Sequence, residues 1–323
     1  MSSPAPMPQK TVQEPIFLLG AHRSGTTLLG LMLRGHSSIG WVGECEYLVD
    51  FIDPDTGDFP AKHEFHRMLN SDRRFRARGF NIDESLAPRE LADSLLVQTM
   101  QGQGKARIGG ALHRHFDRVL DLWPDARVIH LIRDGRDVAL SRINLGWAGN
   151  AWSSAPAWAK IERSWDALSS RLAPGQAFEL RYEELLQDPS GHLEQLCSFL
   201  SVDYEPEMLN YPDRSTYKAP DPSLAQQWRT RLAPRECQLL DAAIGDLLLS
   251  RGYPLGSSQP LDPGLLEESA LRVQDWSSRL LWRLNRYGAR LVVTEFVTRK
   301  LGLQRRNQNF RLQIDAIAER HLR

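Results

Sequence analysis

The sequence predicts an α/β fold, a parallel sheet flanked by helices, with a helical extension at the C-terminus. Three observations carry that prediction. Short apolar runs without strict alternation, "PIFLLG", "RVIHLI" and "AFELR", each lead into a helical pattern, as strands buried on both faces do. The first of them enters its helix through a glycine-bounded loop, "GAHRSGTTLL". The last sixty residues lose this strand-then-helix grammar and keep one apolar stripe at three- and four-residue steps.

Taken in order, residues 1–14 are small, polar and carry three prolines, which predicts a disordered N-terminus with no apolar segment of a secretory signal. A core domain follows over residues 15–257. Within it, residues 53–83 are turn-rich and then arginine-rich, as in an insertion covering one edge of a core. "SLAPRELADSLLVQTMQ" reads as a helix with Pro88 near its start. "HRHFDRVLDLWPDARVIHLIRDGRDVALSR" gives a helix, a turn at Trp123-Pro124-Asp125, a strand from Arg127 to Ile132 and a helix near Asp137. "AFELRYEELLQDPSGHLEQLCSFLSV" repeats strand then helix. Residues 258–323 form a basic extension. Val273, Trp276, Leu280, Leu284, Tyr287 and Leu291 mark the apolar side of one long helix from about Leu265 to Leu303.

The chain of 323 residues has a net charge of zero, but residues 264–323 hold twelve Lys and Arg against six Asp and Glu. That tail is near +6 and the remainder near −6. Such a balance argues against a bulk nucleic-acid binder. Cys45, Cys197 and Cys237 are odd in number and lack metal-ligand spacing, which argues against a disulfide framework and for a reducing compartment. No run approaches the roughly 20 apolar residues of a spanning helix. The expected location is cytoplasmic.

The loop carries the first chemistry. Gly20 and Gly25 have the spacing of a phosphate-cradling P-loop, with Thr26-Thr27 following, but Thr26 stands where the lysine belongs. Backbone N–H groups at a helix start hold an oxyanion, and Arg23, Ser24, Thr26 and Thr27 add donors. Without the lysine, and without an apolar strand ending in a metal-binding Asp, a crowded triphosphate with Mg²⁺ fits poorly. A phosphosulfate, with one charge on each group and no metal, fits better. The second site is "VIHLIRDGRDVALS": Arg133 lies at a strand end and Ser141 in the helix after it, so both can converge on one phosphate. Arg136 and Asp137 read as a solvated charge cluster capping that helix.

These paired motifs, "GAHRSGTTLL" and "IHLIRDGRDVALS", resemble the PAPS-dependent sulfotransferases, and the likeness runs from about residue 15 to 255, including "LRYEELLQDP" and "LLSRGYP". The resemblance implies a P-loop-like fold that moves a sulfuryl group from PAPS to an acceptor hydroxyl without metal. It implies that Arg23, Ser24, Gly25, Thr26 and Thr27 hold the 5′ end of the donor, and Arg133 and Ser141 the 3′-phosphate. "RSTYKAPDPSLAQQWR" resembles the loop that closes over the donor, with Ser215 and Lys218 as contacts, and Tyr182 is placed against the adenine or in packing.

Transfer needs a group to take the acceptor proton. In the protein-tyrosine branch a catalytic glutamate lies twenty-one residues after the loop arginine, and Glu44 stands at that distance from Arg23. Glu44 is therefore the expected base, with Glu46 in reserve and His113 or His115 as the histidine alternative. The Lys-Thr-Pro element of many relatives is absent before "WPDAR", which leaves Arg114 or His113 to replace its lysine. Trp147, Trp152 and Trp158 line an acceptor pocket or belong to the core. The acceptor is a carbohydrate, a lipid or a small hydroxylated metabolite. The basic helix packs back on the core, pairs two subunits or lies on an anionic membrane. A P-loop kinase or NTPase, and a non-catalytic scaffold binding PAP or PAPS, are the alternatives.

Overall fold

Five short strands, β1 (Ile16–Leu19), β2 (Ile39–Glu44), β3 (Arg107–Leu112), β4 (Arg127–Ile132) and β5 (Ala177–Arg181), pair in parallel in the order β2-β3-β1-β4-β5. The computed structural model describes residues 12–257, 259, 261–302, 310, 313, 314 and 317. Residues 1–11 of the N-terminal segment expected to be disordered, and most of the chain after residue 302, lie outside the described residues. The helices are α1 (Thr26–Gly35), α2 (Lys62–Ser71), α3 (Arg73–Arg78), α4 (Pro88–Gly102), α5 (Asp117–Leu122), α6 (Gly135–Asn144) and α7 (Ala151–Ser169). After these come α8 (Tyr182–Gln187), α9 (Pro189–Phe199), α10 (Trp228–Arg231), α11 (Pro234–Ser250), α12 (Leu265–Tyr287) and α13 (Ala289–Lys300). The chain divides into two units, residues 1–133 with 160–225, and residues 134–159 with 226–323.

The first unit holds the sheet, and β1 explains why its strands read as unbroken apolar runs. Phe17 and Leu19 enter one core with Phe116, Val128 and Trp165, while Ile16 and Leu18 enter another with Leu29, Met32 and Leu131. Alternate side chains thus bury on opposite faces of one sheet. Since β1 lies at the centre, its loop opens at the C-terminal edge where such sheets take ligands.

Two strands, β2 and β3, were not legible as such, because Gly40, Gly43, Gly109 and Gly110 look like strand breakers. Here the glycines serve close approach instead. A Cβ on Gly109 would lie 2.6 Å from the Trp41 ring and 2.9 Å from the Ile16 carbonyl oxygen, and one on Gly110 would lie 2.5 Å from Cys45 Sγ. The arginine-rich stretch expected as an edge insertion contains α2 and α3, which send Phe65, Leu69 and Phe75 into the first core.

The second unit overturns the solvated reading of Arg136 and Asp137, which are both buried. Arg136 donates from Nε and Nη2 to the two oxygens of Asp134 at 2.9 and 2.7 Å, and its guanidinium lies 3.6 Å from the Trp228 ring centroid. Asp137 accepts the Trp228 backbone N–H at 2.8 Å. Each charge is buried because it is paired or hydrogen-bonded, the condition under which burial is tolerated. Trp158 packs against Gly135 as core. The long C-terminal helix is also corrected. It breaks at Gly288 (φ +82°, ψ 146°) into α12 and α13, a backbone conformation that glycine adopts readily and other residues rarely do. α12 packs on its own unit: Asp275 accepts the Gly149 N–H at 2.6 Å, Asn150 donates to the Leu271 carbonyl at 2.8 Å, and the Trp282 indole N–H donates to the Asn144 carbonyl at 3.1 Å. No described helix is long and apolar enough to cross a membrane.

Candidate active site

The loop between β1 and α1 is shaped by two residues with positive φ, Arg23 at +77° and Gly25 at +95°. Gly25 caps α1 with no side-chain hydrogen bond, so the first-turn N–H groups of a ten-residue helix are left for a ligand. A Cβ on Gly25 would collide with the Tyr182 ring, and one on Gly20 would lie 2.6 Å from the Leu131 carbonyl oxygen. The Ser24 N–H donates to Ala21 O at 3.1 Å. Its hydroxyl is fully buried and takes no hydrogen bond among the described residues. An orphan hydroxyl beside uncapped N–H groups is a cradle that fits an oxyanion, since leaving such a group unmade costs about 1–3 kcal/mol.

Arg133 joins this loop from the end of β4. Its Nη1 donates to Arg23 O at 2.9 Å, its Nη2 to Leu224 O at 3.0 Å, and its guanidinium lies 4.6 Å from the Tyr182 ring centroid. Arg23, Gly25, Arg133 and Tyr182 are therefore brought together. Ser215 is half-buried and accepts the Tyr217 N–H at 3.1 Å, while Lys218 is exposed and its carbonyl accepts the Tyr211 hydroxyl at 2.9 Å. Ser141 lies on α6 in the second unit, half-buried.

Beside the loop runs a chain of hydrogen bonds that joins residues far apart in sequence. The Thr26 hydroxyl meets His113 Nε2 at 3.0 Å, His113 Nδ1 meets Glu46 Oε1 at 2.7 Å, and Arg74 Nη1 donates to Glu46 Oε2 at 2.5 Å. Glu46 and His113 are buried. Burial raises the Glu46 carboxyl, but the His113 hydrogen bond and the charges of His113 and Arg74 outweigh it and hold the group at about 2. Glu46 is thus an anion that only accepts, which keeps a proton on His113 Nδ1 whether the ring is charged or neutral; in the neutral ring Nε2 is left to accept from Thr26. Since its folded pKa lies below the usual 4.5, Glu46 contributes stability that is full above about pH 4.5 and lost as pH falls through about 2. Urea midpoints should show wild type keeping its advantage over Glu46→Gln down to about pH 4.5 and losing it progressively as pH falls from there toward about 2.

Glu44, the expected base, is half exposed, and its Oε2 lies 3.5 Å from Arg74 Nη1. It lines a cavity of about 240 Å³ together with Thr26, Thr27, Arg34, Trp41 and Arg78. Arg114 is engaged with Asp50, Nε to Oδ1 at 2.6 Å, while His115 Nε2 stands 3.8 Å from Asp50. The His22 ring stacks on His113 at 4.0 Å, and His22, Glu46 and His113 each offer a ligand atom within 4.8 Å of the others. With His113 Nδ1 and both Glu46 oxygens already hydrogen-bonded, this group reads as a relay. Arg74 is not legible beforehand, because nothing in "SDRRFRARGF" tells which arginine turns inward.

A family model described as "Sulfotransferase family" matches residues 15–206. An uncharacterized protein of Aquifex aeolicus is 27% identical over 219 residues, a match that covers 62% of this chain and 27% of that protein. The chain thus spans about a quarter of the length of that relative. Nodulation protein NoeE of Sinorhizobium fredii is 25% identical over 293 residues, covering 78% of this chain and 68% of NoeE. Among solved structures, the sulfotransferase domain from the curacin biosynthetic pathway superposes with a TM-score of 0.57 at 22% identity, over 76% of this chain and all of that domain. At that identity the likeness speaks for the fold.

Proposed function

The chain belongs to the sulfotransferase family, and from that premise we propose that it transfers a sulfuryl group from PAPS to the hydroxyl of an acceptor and releases PAP. The observation that carries the reading is the loop itself, with its uncapped helix start, its buried orphan Ser24 hydroxyl and Arg133 hydrogen-bonded to the Arg23 carbonyl. In this reading residues Arg23 to Thr27 hold the 5′ end of the donor. Arg133 holds the 3′-phosphate; the part of Ser141 there rests on the motif, as do those of Ser215 and Lys218. In this reading Tyr182 meets the nucleoside, which its packing under Arg133 and against Gly25 supports. No metal is invoked.

The acceptor oxygen forms its bond to sulfur as the bond from sulfur to the 5′-phosphate oxygen breaks, and PAP leaves with that electron pair. The acceptor proton goes to a base. What supports His113 is its Nε2, aimed at Thr26 and made an acceptor by the anchored Nδ1–H. Glu44 is the second reading, supported by its place on a cavity wall with Thr26 and Thr27. Carbohydrates, lipids and small hydroxylated metabolites are all admissible acceptors.

Calorimetry tests the donor. Adenosine 3′,5′-bisphosphate should bind without added metal and ATP with Mg²⁺ should not; the reverse result would make the protein a P-loop kinase or NTPase. Labelled PAPS incubated with a fractionated extract should yield a labelled acceptor. Binding of PAP with no product from any fraction would leave a scaffold.

A further inference from the structure

Nine of the thirteen large apolar side chains that are exposed among the described residues fall between Leu265 and Leu301. The fold explains only one face of α12. Leu271, Asp275 and Trp282 turn toward residues 144–150 of the same unit, as described above. At about 100° per residue, Leu266, Val273, Trp276, Leu280 and Leu284 share an arc on the other side, and Val273 and Trp276 are 65% and 66% exposed. α13 extends this surface with Val293 and Phe296. Between the two helices opens a cavity of about 510 Å³ whose wall includes Trp276, Leu280, Leu284, Val292 and Phe296, together with Arg279, Arg283 and Arg299.

A column of cations borders the arc. Arg272, Arg279, Arg283 and Arg286 follow one another at seven-, four- and three-residue steps along one flank of α12. Three of them meet carboxylates, Glu268, Asp275 and Glu295, at 3.2 to 3.4 Å. The arginine side chains stay 38–70% exposed, although Asp275 and Glu295 are themselves largely buried, and only the exposed Arg272–Glu268 pair is of the weak surface kind. Counted over residues 264–302, seven Lys and Arg stand against four Asp and Glu, a surplus of three positive charges.

We propose that this face of α12 and α13 docks on an anionic membrane surface, the apolar arc entering the headgroup boundary and the arginines meeting lipid phosphates. An exposed aromatic ridge flanked by arginines is the pattern of a helix that lies in the interface, and neither helix is apolar enough to span. Charge decides between this occupant and a second copy of the chain. Self-pairing through the same face brings one surplus of positive charge against another, whereas phosphate headgroups neutralise it. The inference stands apart from the transfer reaction, since it concerns only the second unit and is read by binding.

The full-length chain is sedimented with phosphatidylcholine vesicles, with and without phosphatidylglycerol. Phosphatidylglycerol should raise the partition coefficient on the order of 100-fold for three net charges, and added salt should reverse that gain. Trp276→Glu with Phe296→Glu should remove binding at least about tenfold while circular dichroism and PAP affinity stay unchanged. Should that variant misfold, Arg279→Gln with Arg283→Gln should lower the phosphatidylglycerol-dependent part alone. Failure of wild type to bind either vesicle overturns the proposal. So does binding untouched by both variants, or a wild-type dimer that the Trp276 variant dissolves without any vesicle binding.

Discussion

Replacing His113 by alanine is expected to lower kcat on the order of 100- to 10,000-fold, the usual range for loss of a positioned acid or base. PAP affinity should change less than kcat, since the imidazole meets the loop at the Thr26 hydroxyl and by stacking on the His22 ring. Glu46→Gln makes the anchoring role visible. An amide can donate to Nδ1 as well as accept, so the tautomer with Nε2 as acceptor loses its fixed support. Turnover should then drop while PAP binding holds. Glu44→Ala is the deciding comparison, since near-wild-type turnover by that variant removes Glu44 as base. Near-wild-type turnover by His113→Ala, with Glu44→Ala inactive, would move the proton to Glu44.

What could be read from the sequence is what lies close together along it. β1, its loop and α1 occupy about twenty consecutive residues, and each reports itself locally through apolar burial, glycine spacing and helix periodicity. Arg133 is announced in the same way by the strand it ends. The relay is not local. Thr26 and His113 are 87 residues apart and Glu46 and His113 67 apart, and only the pairing of β3 with β1 and β2 brings them together. β3 was in turn hidden by Gly109 and Gly110, which tertiary crowding by Trp41 and Cys45 requires and local propensity argues against. Arg136 misled for the converse reason. Its run of alternating charges looks solvated until Asp134 and Trp228 are seen around it. At Gly288 the apolar stripe continues across the break, so periodicity alone predicts one helix where φ makes two.

Arg23→Gly should push stability and activity in opposite directions. Arg23 holds φ at +77°, a region that costs a non-glycine residue on the order of 1–3 kcal/mol and glycine little. The backbone contact that Arg23 makes, its carbonyl accepting from Arg133, needs no side chain and survives the substitution. Glycine therefore keeps the loop in place and removes strain, offset in part by the larger entropy of the unfolded chain. Its Tm should match or exceed that of wild type. Arg23→Ala keeps the unfavourable φ and should fall below Arg23→Gly in Tm. Both variants lose the guanidinium that offsets charge developing on the departing 5′-phosphate. A preorganised donor of that kind is worth on the order of 100- to 1,000-fold in rate. Because the interaction grows as the bond to sulfur breaks, the loss should fall on kcat more than on PAP affinity. Arg23→Lys restores a charge without the planar fork and should recover only part of the rate. Turnover within about tenfold of wild type for a stable Arg23→Gly would instead confine Arg23 to shaping the loop.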